Sequence, residues 1–497
     1  MADLTSAGRK LIFVCSRVNI PGFGGQERVT VKPVSCIGQV GAGAILEALA
    51  AGMEGVTLVG CPDGSCRHEK GTEIAHTQVK LVQELLRQLG FAPELVRFIS
   101  GDPLTAVEPA ADFRPVPAVT EEISVPPAGF GPADFVCLDC GRCAGVCPVA
   151  RTGIGFSPRR LIQQQLEGQG RVSTRALYAC IGCDLCSTVC PSGRSFARTV
   201  ERLRAVAYEH GSAPVLAHGG IVQALGRIQA RSAVRQQRLL WLKPELQVAD
   251  KGETALFTGC LPYFQVLFGD LGVNLLQTAS NAIALLNQAG VVPVLLQDEV
   301  CCGHDLLWLG DRQNALRLAR KNVELLKSAG VRRVVFLCPE CLHTFRVEYP
   351  ELVGPTGLEL LHISEFLVAA GWKPPEREKE SVSCRTVTYQ DPCRLGRQLG
   401  VYDAPRQLIT GISGMKLVEM VHSRSQALCC GGTQWLECGA AVRLMQERRL
   451  AEAQATGAEL LVTACPRCDI HLACARQRNA ESEIKILNLI DLLNYEG

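Results

Sequence analysis

Two runs of cysteines in this chain have the spacing that binds iron-sulfur clusters. Each run follows the pattern C-x-x-C-x-x-C-x-x-x-C-P, and the cysteines are Cys137, Cys140, Cys143 and Cys147, followed by Cys180, Cys183, Cys186 and Cys190. In this pattern the first three thiolates of a run bind one [4Fe-4S] cluster, and the fourth binds the other cluster. We therefore expect one cluster at Cys137, Cys140, Cys143 and Cys190, and a second at Cys180, Cys183, Cys186 and Cys147.

Structural zinc sites are the alternative, since C-x-x-C pairs also bind zinc. A zinc site uses two such pairs for each ion, whereas here a third cysteine continues the same spacing and a C-P pair ends each run. Gly141, Gly145 and Gly182 fit a backbone that folds closely around a cluster, because glycine has no Cβ. The pattern favours [4Fe-4S] clusters.

The C-terminal half contains a second arrangement of five cysteines, and it occurs twice. Each copy has one cysteine after a predicted strand, then C-C-G, then C-P-x-C; the copies are Cys260, Cys301, Cys302, Cys338 and Cys341, and Cys393, Cys429, Cys430, Cys465 and Cys468. A cubane cluster uses four thiolates, and adjacent cysteines do not easily reach two corners of one cube. The pattern predicts a more open cluster; a spare buried thiol and a redox-active vicinal disulfide are the alternatives.

Four further cysteines lie at or just after predicted strand ends in the first hundred residues. They are Cys15, Cys36, Cys61 and Cys66. Loops that follow neighbouring strands converge, so four such thiolates can bind one metal centre. By spacing alone a [2Fe-2S] cluster and a tetrahedral zinc ion are equally good interpretations.

Composition limits the class of protein. The chain has 497 residues, which suggests about three domains, and its formal net charge of +2 gives no indication of nucleic-acid binding. Its 25 cysteines fall in metal-ligand clusters, and Met1 to Ser6 show no start of a signal peptide, which favours a reducing cytoplasm. The longest apolar stretch, Ala282 to Leu296, is too short and too interrupted to span a membrane.

Alternating apolar segments place these cysteines on an α/β framework. Strands are expected at Lys10–Val14, Val29–Val34 and Gly55–Val59, with helices at Gly43–Ala51 and Glu73–Leu89. Further helices are expected at Ser157–Leu166, Phe196–His210 and Gly219–Leu242, and the last carries Arg227, Arg231, Arg235 and Arg238 as an expected solvated face. Strands at Val291–Leu296, Val331–Leu337 and Met415–Met420 precede or follow cysteine motifs of the C-terminal half.

Three resemblances to known families follow from these motifs. The V-G-C-P-D-G-S-C-R-H segment around Cys61 and Cys66, with the V-S-C-I-G turn at Cys36, resembles the delta subunit of methyl-viologen-reducing hydrogenases. That resemblance implies a [2Fe-2S] cluster at Cys15, Cys36, Cys61 and Cys66; Val18 stands where family members often carry another cysteine. The double C-P run with its helices is similar to the small ferredoxin-like iron-sulfur subunit of heterodisulfide reductase.

The repeated C, C-C-G, C-P-x-C pattern resembles the catalytic subunit of heterodisulfide reductase. The resemblance implies one noncubane [4Fe-4S] cluster in each five-cysteine set, with a disulfide split between the two. It also implies that the ten cysteines of these sets are the catalytic ligands.

The predicted fold is α/β multidomain: a small α/β [2Fe-2S] domain, an α-helical ferredoxin-like domain with two [4Fe-4S] clusters, and a duplicated α/β Cys-Cys-Gly domain. The expected boundaries are 1–100 for the hydrogenase-delta-like domain, 101–132 for a proline-rich linker, 133–250 for the ferredoxin-like domain, and 251–374 and 384–497 for the two Cys-Cys-Gly copies.

Some residues beside the motifs have two open interpretations. His304 follows Cys-Cys-Gly and either donates a proton to a departing thiolate or hydrogen-bonds a cluster sulfur. His343 and His471 follow the two C-P-x-C pairs and are expected to pack around the clusters rather than to act in catalysis. Three cysteines outside all motifs are expected to be ordinary buried thiols: Cys384, Cys438 and Cys474.

The resemblances imply an electron-transfer and terminal-reductase component of a cytoplasmic, oxygen-sensitive complex. The glycine-rich segment Pro21 to Gly25 has no helix pattern behind it that would make a dinucleotide site, so FAD is expected only in a partner, a heterodisulfide-reductase-A-like flavoprotein that bifurcates electrons. The electron-donating module is open among a hydrogenase, a formate dehydrogenase, an NADH-oxidising module and a methylenetetrahydrofolate reductase. The alternatives are an iron-sulfur component of a glycolate- or lactate-oxidising complex, and an electron relay or docking component without disulfide chemistry.

Overall fold

The structure, a computed structural model, describes residues 9–19, 28–103, 122–124, 137–166, 171–231, 235–374, 385–432, 435–479 and 483–494. Contacts divide the chain into two compact units, the first comprising Met1–Ala118 and Val215–Arg238, and the second Val119–Pro214 and Leu239–Gly497. Most of the expected linker at 101–132, the segment from Pro21 to Gly25, and Cys384 lie outside the described residues. None of the described helices is both long and apolar enough to span a bilayer.

The first unit is built around a parallel four-stranded sheet. Its elements are the strands β1 (Lys10–Cys15), β2 (Val18–Asn19), β3 (Val29–Val34), β4 (Gly55–Gly60), β5 (Val96–Ser100) and β6 (Asp102–Pro103), and the helices α1 (Ala42–Ala50), α2 (Gly71–Gln88) and α7 (Ile221–Ala230). The strand order is β3-β1-β4-β5. The central strands β1 and β4 are almost entirely buried, as expected of parallel strands covered on both faces.

Helix α7 is shorter than predicted. It ends at Ala230, where Arg231 takes up an extended conformation, and the following chain pairs with the end of α2 through the Gln237 N–H and the Gln88 carbonyl oxygen at 3.0 Å. The prediction that the four arginines form a solvated face is wrong for two of them: Arg238 is buried, and Arg227 is half-buried and ion-paired with Glu47 of α1. Residues 215–238, expected with the ferredoxin-like stretch, pack in the first unit.

The second unit begins with the ferredoxin-like cysteine runs. Its elements there are the strands β7 (Glu122–Ser124) and β8 (Arg171–Ser173), which pair antiparallel, and the helices α3 (Arg142–Val146), α4 (Pro158–Leu166), α5 (Thr174–Ala179) and α6 (Phe196–Glu209). The hydroxyl of Ser157 accepts a hydrogen bond from the Arg160 N–H at 3.4 Å, which is the N-cap predicted for α4. Because these helices and 3-10 turns are short, the loops that carry the cysteines can fold towards each other.

The first Cys-Cys-Gly copy contains a parallel sheet of order β11-β10-β9. Its elements are the strands β9 (Thr254–Phe257), β10 (Arg333–Phe336) and β11 (Glu359–His362), and the helices α8 (Leu261–Phe268), α9 (Leu275–Gln288), α10 (His304–Leu309), α11 (Arg312–Ser328), α12 (Pro339–His343), α13 (Tyr349–Val353) and α14 (Ile363–Ala369). The predicted strand at Val291–Leu296 is reduced to isolated bridges of Val294 with Ala249 and Ala255, since Pro293 has no N–H to donate to a ladder.

The second Cys-Cys-Gly copy repeats this order with an additional edge strand. Its elements are the strands β12 (Arg385–Gln390), β13 (Met415–Leu417), β14 (Leu460–Thr463) and β15 (Lys485–Asn488), and the helices α15 (Asp403–Thr410), α16 (Ala440–Gln454), α17 (Pro466–Arg478) and α18 (Leu489–Leu493). The parallel order is β13-β12-β14-β15. Strands β12, β14 and β15 correspond to β9, β10 and β11 of the first copy, and β13 is the additional edge strand. The mixed α/β fold with parallel sheets is therefore confirmed, and cysteines in both copies follow the carboxyl ends of strands.

Candidate iron-sulfur centres

The five predicted cysteines of the first copy form one continuous group of sulfur atoms. Cys260 Sγ lies 3.4 Å from Cys301 Sγ. Further thiol contacts join Cys301 to Cys302, Cys302 to Cys341, and Cys341 to Cys338. The strand ends and the loop before α10 thus bring together residues that are up to about eighty positions apart in the sequence.

The second copy has the same arrangement. Cys468 Sγ lies 3.3 Å from Cys430 Sγ. Thiol contacts also join Cys393 to Cys429, Cys429 to Cys430, and Cys465 to Cys468. The structure therefore places each predicted five-cysteine set in one location.

The two sets meet at a contact between Cys338 and Cys465. Both residues directly follow equivalent parallel strands and cap the helices that carry the C-P-x-C pairs. All ten thiols then form one unbroken series of contacts, buried except at its two half-buried ends, Cys260 and Cys393. Such an arrangement can offer two metal centres side by side in a site screened from water.

The glycine after each Cys-Cys pair has a defined role. Gly303 has a φ of +87° and Gly431 a φ of +86°, a left-handed conformation that favours glycine. This turn directs the Gly303 N–H to Cys301 Sγ and the Gly431 N–H to Cys429 Sγ, each at 3.4 Å. Backbone N–H groups aimed at sulfur are the environment that cluster thiolates require.

Hydrogen bonds between thiols favour the thiolate at some members of each set and oppose it at the members that donate, such as Cys260 and Cys468. Hydrogen bonds from Cys260 and Cys302 hold the pKa of Cys301 well below its usual range. Hydrogen bonds from Cys429 and Cys468 lower the pKa of Cys430 to about 5. The thiolate is the form of cysteine that binds metal, so these donor sets fit iron-sulfur clusters.

The ferredoxin-like cysteines line two cavities, and each cavity is lined by the four cysteines of one predicted cluster. The first, with an empty volume of about 650 Å³, is lined by Cys137, Cys140, Cys143 and Cys190, with Cys186 at its edge. The second, with an empty volume of about 310 Å³, is lined by Cys147, Cys180, Cys183 and Cys186. The exchange of the fourth cysteine between the two runs is thus seen in the geometry.

The two cavities differ in exposure. Cys140 is exposed, and its neighbour Leu138 is 64% exposed, whereas the cysteines of the second cavity are all buried. Burial raises the pKa of Cys147 and that of Cys183 to about 12. Thiolates at such positions need a cation to compensate their charge, which iron provides.

Polar side chains bind the second cysteine run to the second Cys-Cys-Gly copy. Arg397 donates from Nε to the Cys183 carbonyl oxygen at 2.8 Å and from Nη1 to the carbonyl oxygens of Ser425 and Ala427 at 2.8 and 3.0 Å. Gln398 donates to the Gly182 carbonyl oxygen at 2.9 Å. Both residues lie in the π-helical turn that follows Cys393, so the buried ferredoxin-like set adjoins the second five-cysteine set.

The cysteines of the first unit also converge. Cys15 Sγ lies 4.0 Å from Cys61 Sγ, and Cys36 forms a thiol contact with Cys66. A Cβ on Gly71, the first residue of α2, would meet Cys36 Sγ at 2.6 Å and Cys66 Sγ at 2.8 Å. All four predicted ligands are therefore brought together, and the glycine makes room for their sulfur atoms.

The environment of Cys66 favours its thiolate. Burial raises the pKa of its thiol, but hydrogen bonds from the backbone N–H groups of His68, Thr72 and Gly71 outweigh this and lower the pKa below the ordinary value. Two of these N–H groups belong to the start of α2, where the helix dipole also favours negative charge.

A buried ion-pair network lies beside the meeting point of the two copies, and the sequence analysis missed it. Arg467 binds Asp305 through two hydrogen bonds of 2.7 and 2.6 Å, and its Nε lies 2.5 Å from Glu340 Oε2. His304, Asp305 and Glu340 lie close enough to hold a metal ion, but Arg467 already pairs with both carboxylates. The available signal was the variable position of C-P-x-C, which is Glu340 in one copy and Arg467 in the other.

The three motif histidines are found in different surroundings. His304 is buried, with Nδ1 at 3.2 Å from Thr344 Oγ1 and Nε2 at 3.6 Å from Glu340 Oε2. Burial lowers the pKa of His304 and that of His343 well below the ordinary value, so both rings are neutral. His471 stacks on Trp435 with ring centroids 4.7 Å apart.

The cysteines outside the motifs differ from the expectation of ordinary buried thiols. Cys438 and Cys474 are half-buried rather than buried. Arg478 donates to Cys474 Sγ at 2.8 Å, one turn along α17. Cys474 lies towards the outer end of this helix, away from the sulfur series that Cys468 joins at its start.

Family models match all three regions of the chain. The model described as methyl-viologen-reducing hydrogenase, delta subunit, matches residues 13–112, a 4Fe-4S dicluster domain matches residues 135–194, and a cysteine-rich domain matches residues 254–346 and 387–473. These matches confirm the three resemblances predicted from the motifs.

Two curated relatives cover most of the same length, and both are the component designated D of a dihydromethanophenazine:CoB–CoM heterodisulfide reductase. The one from Methanosarcina barkeri is 30% identical over 388 residues, which are 72% of this chain and 92% of the relative. Its counterpart in Methanosarcina acetivorans is 31% identical over 310 residues, 61% of this chain and 73% of the relative.

Among solved structures, a hypothetical protein from Helicobacter pylori covers 68% of this chain and 66% of its own, at 10% identity and a TM-score of 0.43. The assignment of the chain rests instead on its cysteine motifs, its two α/β copies and the Methanosarcina relatives. The chain belongs to the heterodisulfide reductase family of iron-sulfur oxidoreductase subunits, and it carries a hydrogenase-delta-like domain in the same polypeptide.

Proposed function

We propose that this chain is the electron-transfer and terminal-reductase component of a heterodisulfide-reductase-like complex, and that it reduces a disulfide in the Cys-Cys-Gly half. The observation that carries this proposal is the meeting of the two five-thiol sets at Cys338 and Cys465. Two adjacent centres suit a reaction that separates two sulfur atoms.

The reaction would be R–S–S–R′ + 2 e⁻ + 2 H⁺ → RSH + R′SH. In this proposal each five-cysteine set holds a noncubane [4Fe-4S] cluster, which when bound supplies single electrons and an iron atom that can accept sulfur. The residues of the chain shield the site from water and hold its charge. His304 and Glu340 are the candidate proton carriers, because His304 Nε2 faces Glu340 Oε2 at 3.6 Å beside the cysteines.

Two [4Fe-4S] clusters at the ferredoxin-like cysteines would carry electrons to this site. The exposed set around Cys140 is accessible from outside, and the buried set is bound to the turn after Cys393 by Arg397 and Gln398. This order of exposure supports transfer from the outer set to the inner set and then to the second Cys-Cys-Gly copy.

The first unit would contribute a [2Fe-2S] cluster at Cys15, Cys36, Cys61 and Cys66. The match to a hydrogenase delta subunit supports a protein donor, and we propose an FAD-containing, heterodisulfide-reductase-A-like partner with electron bifurcation at its flavin. The name of the Methanosarcina relatives includes dihydromethanophenazine, so a reduced carrier of that kind is the alternative donor. The predicted domain boundaries are part of this proposal.

The test is anaerobic reduction of disulfides by the full-length protein with a reduced viologen. The CoM–CoB disulfide and simpler disulfides are the substrates, and thiol release is the measurement. We expect thiols to form at a rate above that of viologen alone, with about eighteen irons per chain for one two-iron and four four-iron clusters. Clusters that viologen reduces without any thiol release would make the chain an electron relay instead, and oxidation of a 2-hydroxy acid by the complex would favour the glycolate- or lactate-oxidising alternative.

The partner is tested separately by anaerobic affinity purification of the tagged chain from its native cells. We expect a flavoprotein to be recovered in stoichiometric amount. Recovery of the chain without a flavoprotein would contradict the proposed donor. The disulfide chemistry would still be tested by the viologen assay.

A further inference from the structure

A buried tryptophan in the second unit lies close to two buried guanidinium groups. Arg394 Cζ is 4.4 Å from the centre of the Trp308 ring, and Arg204 Cζ is 5.6 Å from it. All three side chains are buried. Each comes from a different cysteine region: Arg204 from α6 of the ferredoxin-like part, Trp308 from α10 after the first Cys-Cys pair, and Arg394 from the position next to Cys393. We call this arrangement the arginine-tryptophan stack.

The stack lies against the loop of the buried ferredoxin-like cysteines. A Cβ on Gly182 would meet Trp308 Cζ3 at 2.7 Å and Arg394 Nη2 at 3.1 Å. Arg204 Nη2 donates to the Cys180 carbonyl oxygen at 2.6 Å, and its Nη1 to the Trp308 carbonyl oxygen at 3.2 Å. Only a glycine at position 182 allows this close approach, because a Cβ there would overlap the indole ring of Trp308.

The two positive charges of the stack are not paired with carboxylates in the described part of the chain. Arg204 donates to backbone carbonyl oxygens, and Arg394 Nη1 donates to the side-chain oxygen of Gln398. Arg394 Nε and Nη2 have no hydrogen-bond partner among the described residues. A buried guanidinium with free donors is costly unless an anion lies near it, and arginine does not release its proton.

Two buried carboxylates, Glu201 and Glu340, interact with Arg394 at longer range, but neither forms a hydrogen bond with its free donors. Glu201 is paired with Arg198 at 3.0 Å, and Glu340 with Arg467 at 2.5 Å. The Arg394 guanidinium instead lies against Gly182, in the loop that carries the predicted ligands Cys180 and Cys183. This contact places the free donors of Arg394 beside the loop that would hold the cluster, where they fit its sulfur atoms.

We propose that Arg394 is a positioning residue for electron transfer, which raises the reduction potential of the cluster at Cys147, Cys180, Cys183 and Cys186 and so sets the order of electron flow into the Cys-Cys-Gly half. A fixed positive charge stabilises the reduced cluster more than the oxidised one, since reduction adds negative charge. The ring of Trp308 holds the Arg394 guanidinium in place. This inference rests on the cluster assignments of the proposed function but not on the disulfide substrate.

The experiment is a redox titration of the full-length, cluster-loaded protein followed by low-temperature electron paramagnetic resonance, with Arg394→Gln and Arg394→Lys as the matched pair. We expect Arg394→Gln to leave roughly tenfold less of the inner cluster reduced at a given potential, a shift of about 59 mV for one electron. Arg394→Lys keeps the charge and should stay near the wild-type potential. The outer cluster at Cys137, Cys140, Cys143 and Cys190 is the internal control and should not shift.

An unchanged potential in Arg394→Gln would overturn the inference, and so would an equal shift in Arg394→Lys, because packing rather than charge would then be responsible. Iron analysis shows whether Arg394→Gln is loaded. If it is not, pulsed magnetic resonance of wild-type protein labelled with ¹⁵N-arginine replaces it: we expect a nitrogen coupling to the reduced cluster that Arg394→Lys loses, and no coupling in the wild type would refute the assignment. Wild-type protein that reduces no disulfide would defeat the proposed function alone, whereas a missing potential shift or nitrogen coupling would defeat this inference alone.

Discussion

The two Cys-Cys-Gly copies share their sulfur framework and differ in the charges around it. Gly303 and Gly431 have the same left-handed conformation and donate to the same sulfur of each pair at the same distance. At the variable position of C-P-x-C, however, the first copy has Glu340 and the second has Arg467, and these two residues form an ion pair with each other.

This difference in charge explains how the two copies can pack against each other. Two identical copies would place like charges at the meeting point, where burial makes them unfavourable. An acid in one copy and a base in the other allow the sulfur sets to approach, and Asp305 of the first copy adds a second carboxylate to Arg467. Both copies therefore have the same set of cysteines, and the ion pairs of Arg467 with Glu340 and Asp305 connect them.

The largest effect is expected from the matched variants Cys302→Ser and Cys430→Ser, one in each copy. Each variant should lose about four irons, those of its own copy, because serine does not replace a thiolate as a cluster ligand. Disulfide reduction should be lost in both variants, while viologen still reduces the ferredoxin-like clusters. Iron and sulfide analysis with magnetic resonance checks this result.

The controls for the cysteine variants are Cys438→Ser and Cys474→Ser, since both thiols are half-buried and lie outside the sulfur series. Neither should change the iron content. A Cys302→Ser protein that loses the iron of both copies would show that the two sets form one cooperative centre. It would contradict the expectation that each copy binds its iron independently.

Arg467→Gln tests the charge difference between the copies. It would leave Asp305 and Glu340 buried without their cation, which costs roughly 3–5 kcal/mol for a broken buried pair. The fall in thermal stability of the anaerobic protein measures this cost. The matched control is Arg333→Gln, which breaks the largely exposed pair of Arg333 with Glu359 and should cost at most about 1 kcal/mol. Equal losses in both variants would mean that the buried network does not join the copies.

A smaller effect is expected from Gly303→Ala and Gly431→Ala. Both require a left-handed alanine, at a cost of about 1–2 kcal/mol. The new Cβ at Gly303 would lie 3.3 Å from the Ala315 backbone, whereas at Gly431 it would lie 2.5 Å from Gln446 Cγ, whose amide oxygen Arg478 holds. We expect Gly431→Ala to melt at a lower temperature than Gly303→Ala. The reverse order would show that Gln446 moves away without cost, so that the surroundings of the two glycines differ although their φ angles agree.

The smallest effect is a change in pH dependence at Asp491, a second contact between the copies. Its carboxylate accepts hydrogen bonds from Thr278 at 2.7 Å and Asn281 at 2.8 Å of the first copy. Burial raises the pKa of Asp491, while these hydrogen bonds oppose the rise. An acid with a raised pKa contributes stability that is fully present below its unfolded pKa and declines as the pH rises through the folded pKa.

Asp491→Asn should therefore raise the melting temperature relative to wild type as the pH rises above about 4, the ordinary pKa of an aspartate. Melting curves of wild type and variant over that range provide the measurement. A difference between variant and wild type that falls as the pH rises would show that the carboxylate is stabilised in its charged form.

Much of the framework could be read from the sequence because it is local. Spacing along the chain fixes which cysteines reach a common centre, and the exchange of Cys147 and Cys190 between the two runs appears again in the lining of the two cavities. Apolar periodicity located the central strands, and it failed where a proline or a distant contact decided the outcome, as at Val294 and at the end of α7. The assignment of cluster types and ligands stays a prediction that iron analysis must test.

The donor atoms, the duplication and the family can be read from residue types at fixed intervals along the chain. What lies between these motifs depends on long-range contacts in the folded protein. The contact of Cys338 with Cys465, the Arg467 network and the stack of Arg204, Trp308 and Arg394 join segments that are more than eighty residues apart. Local patterns carry no record of such contacts, because burial and charge compensation depend on which side chains the folded chain brings together.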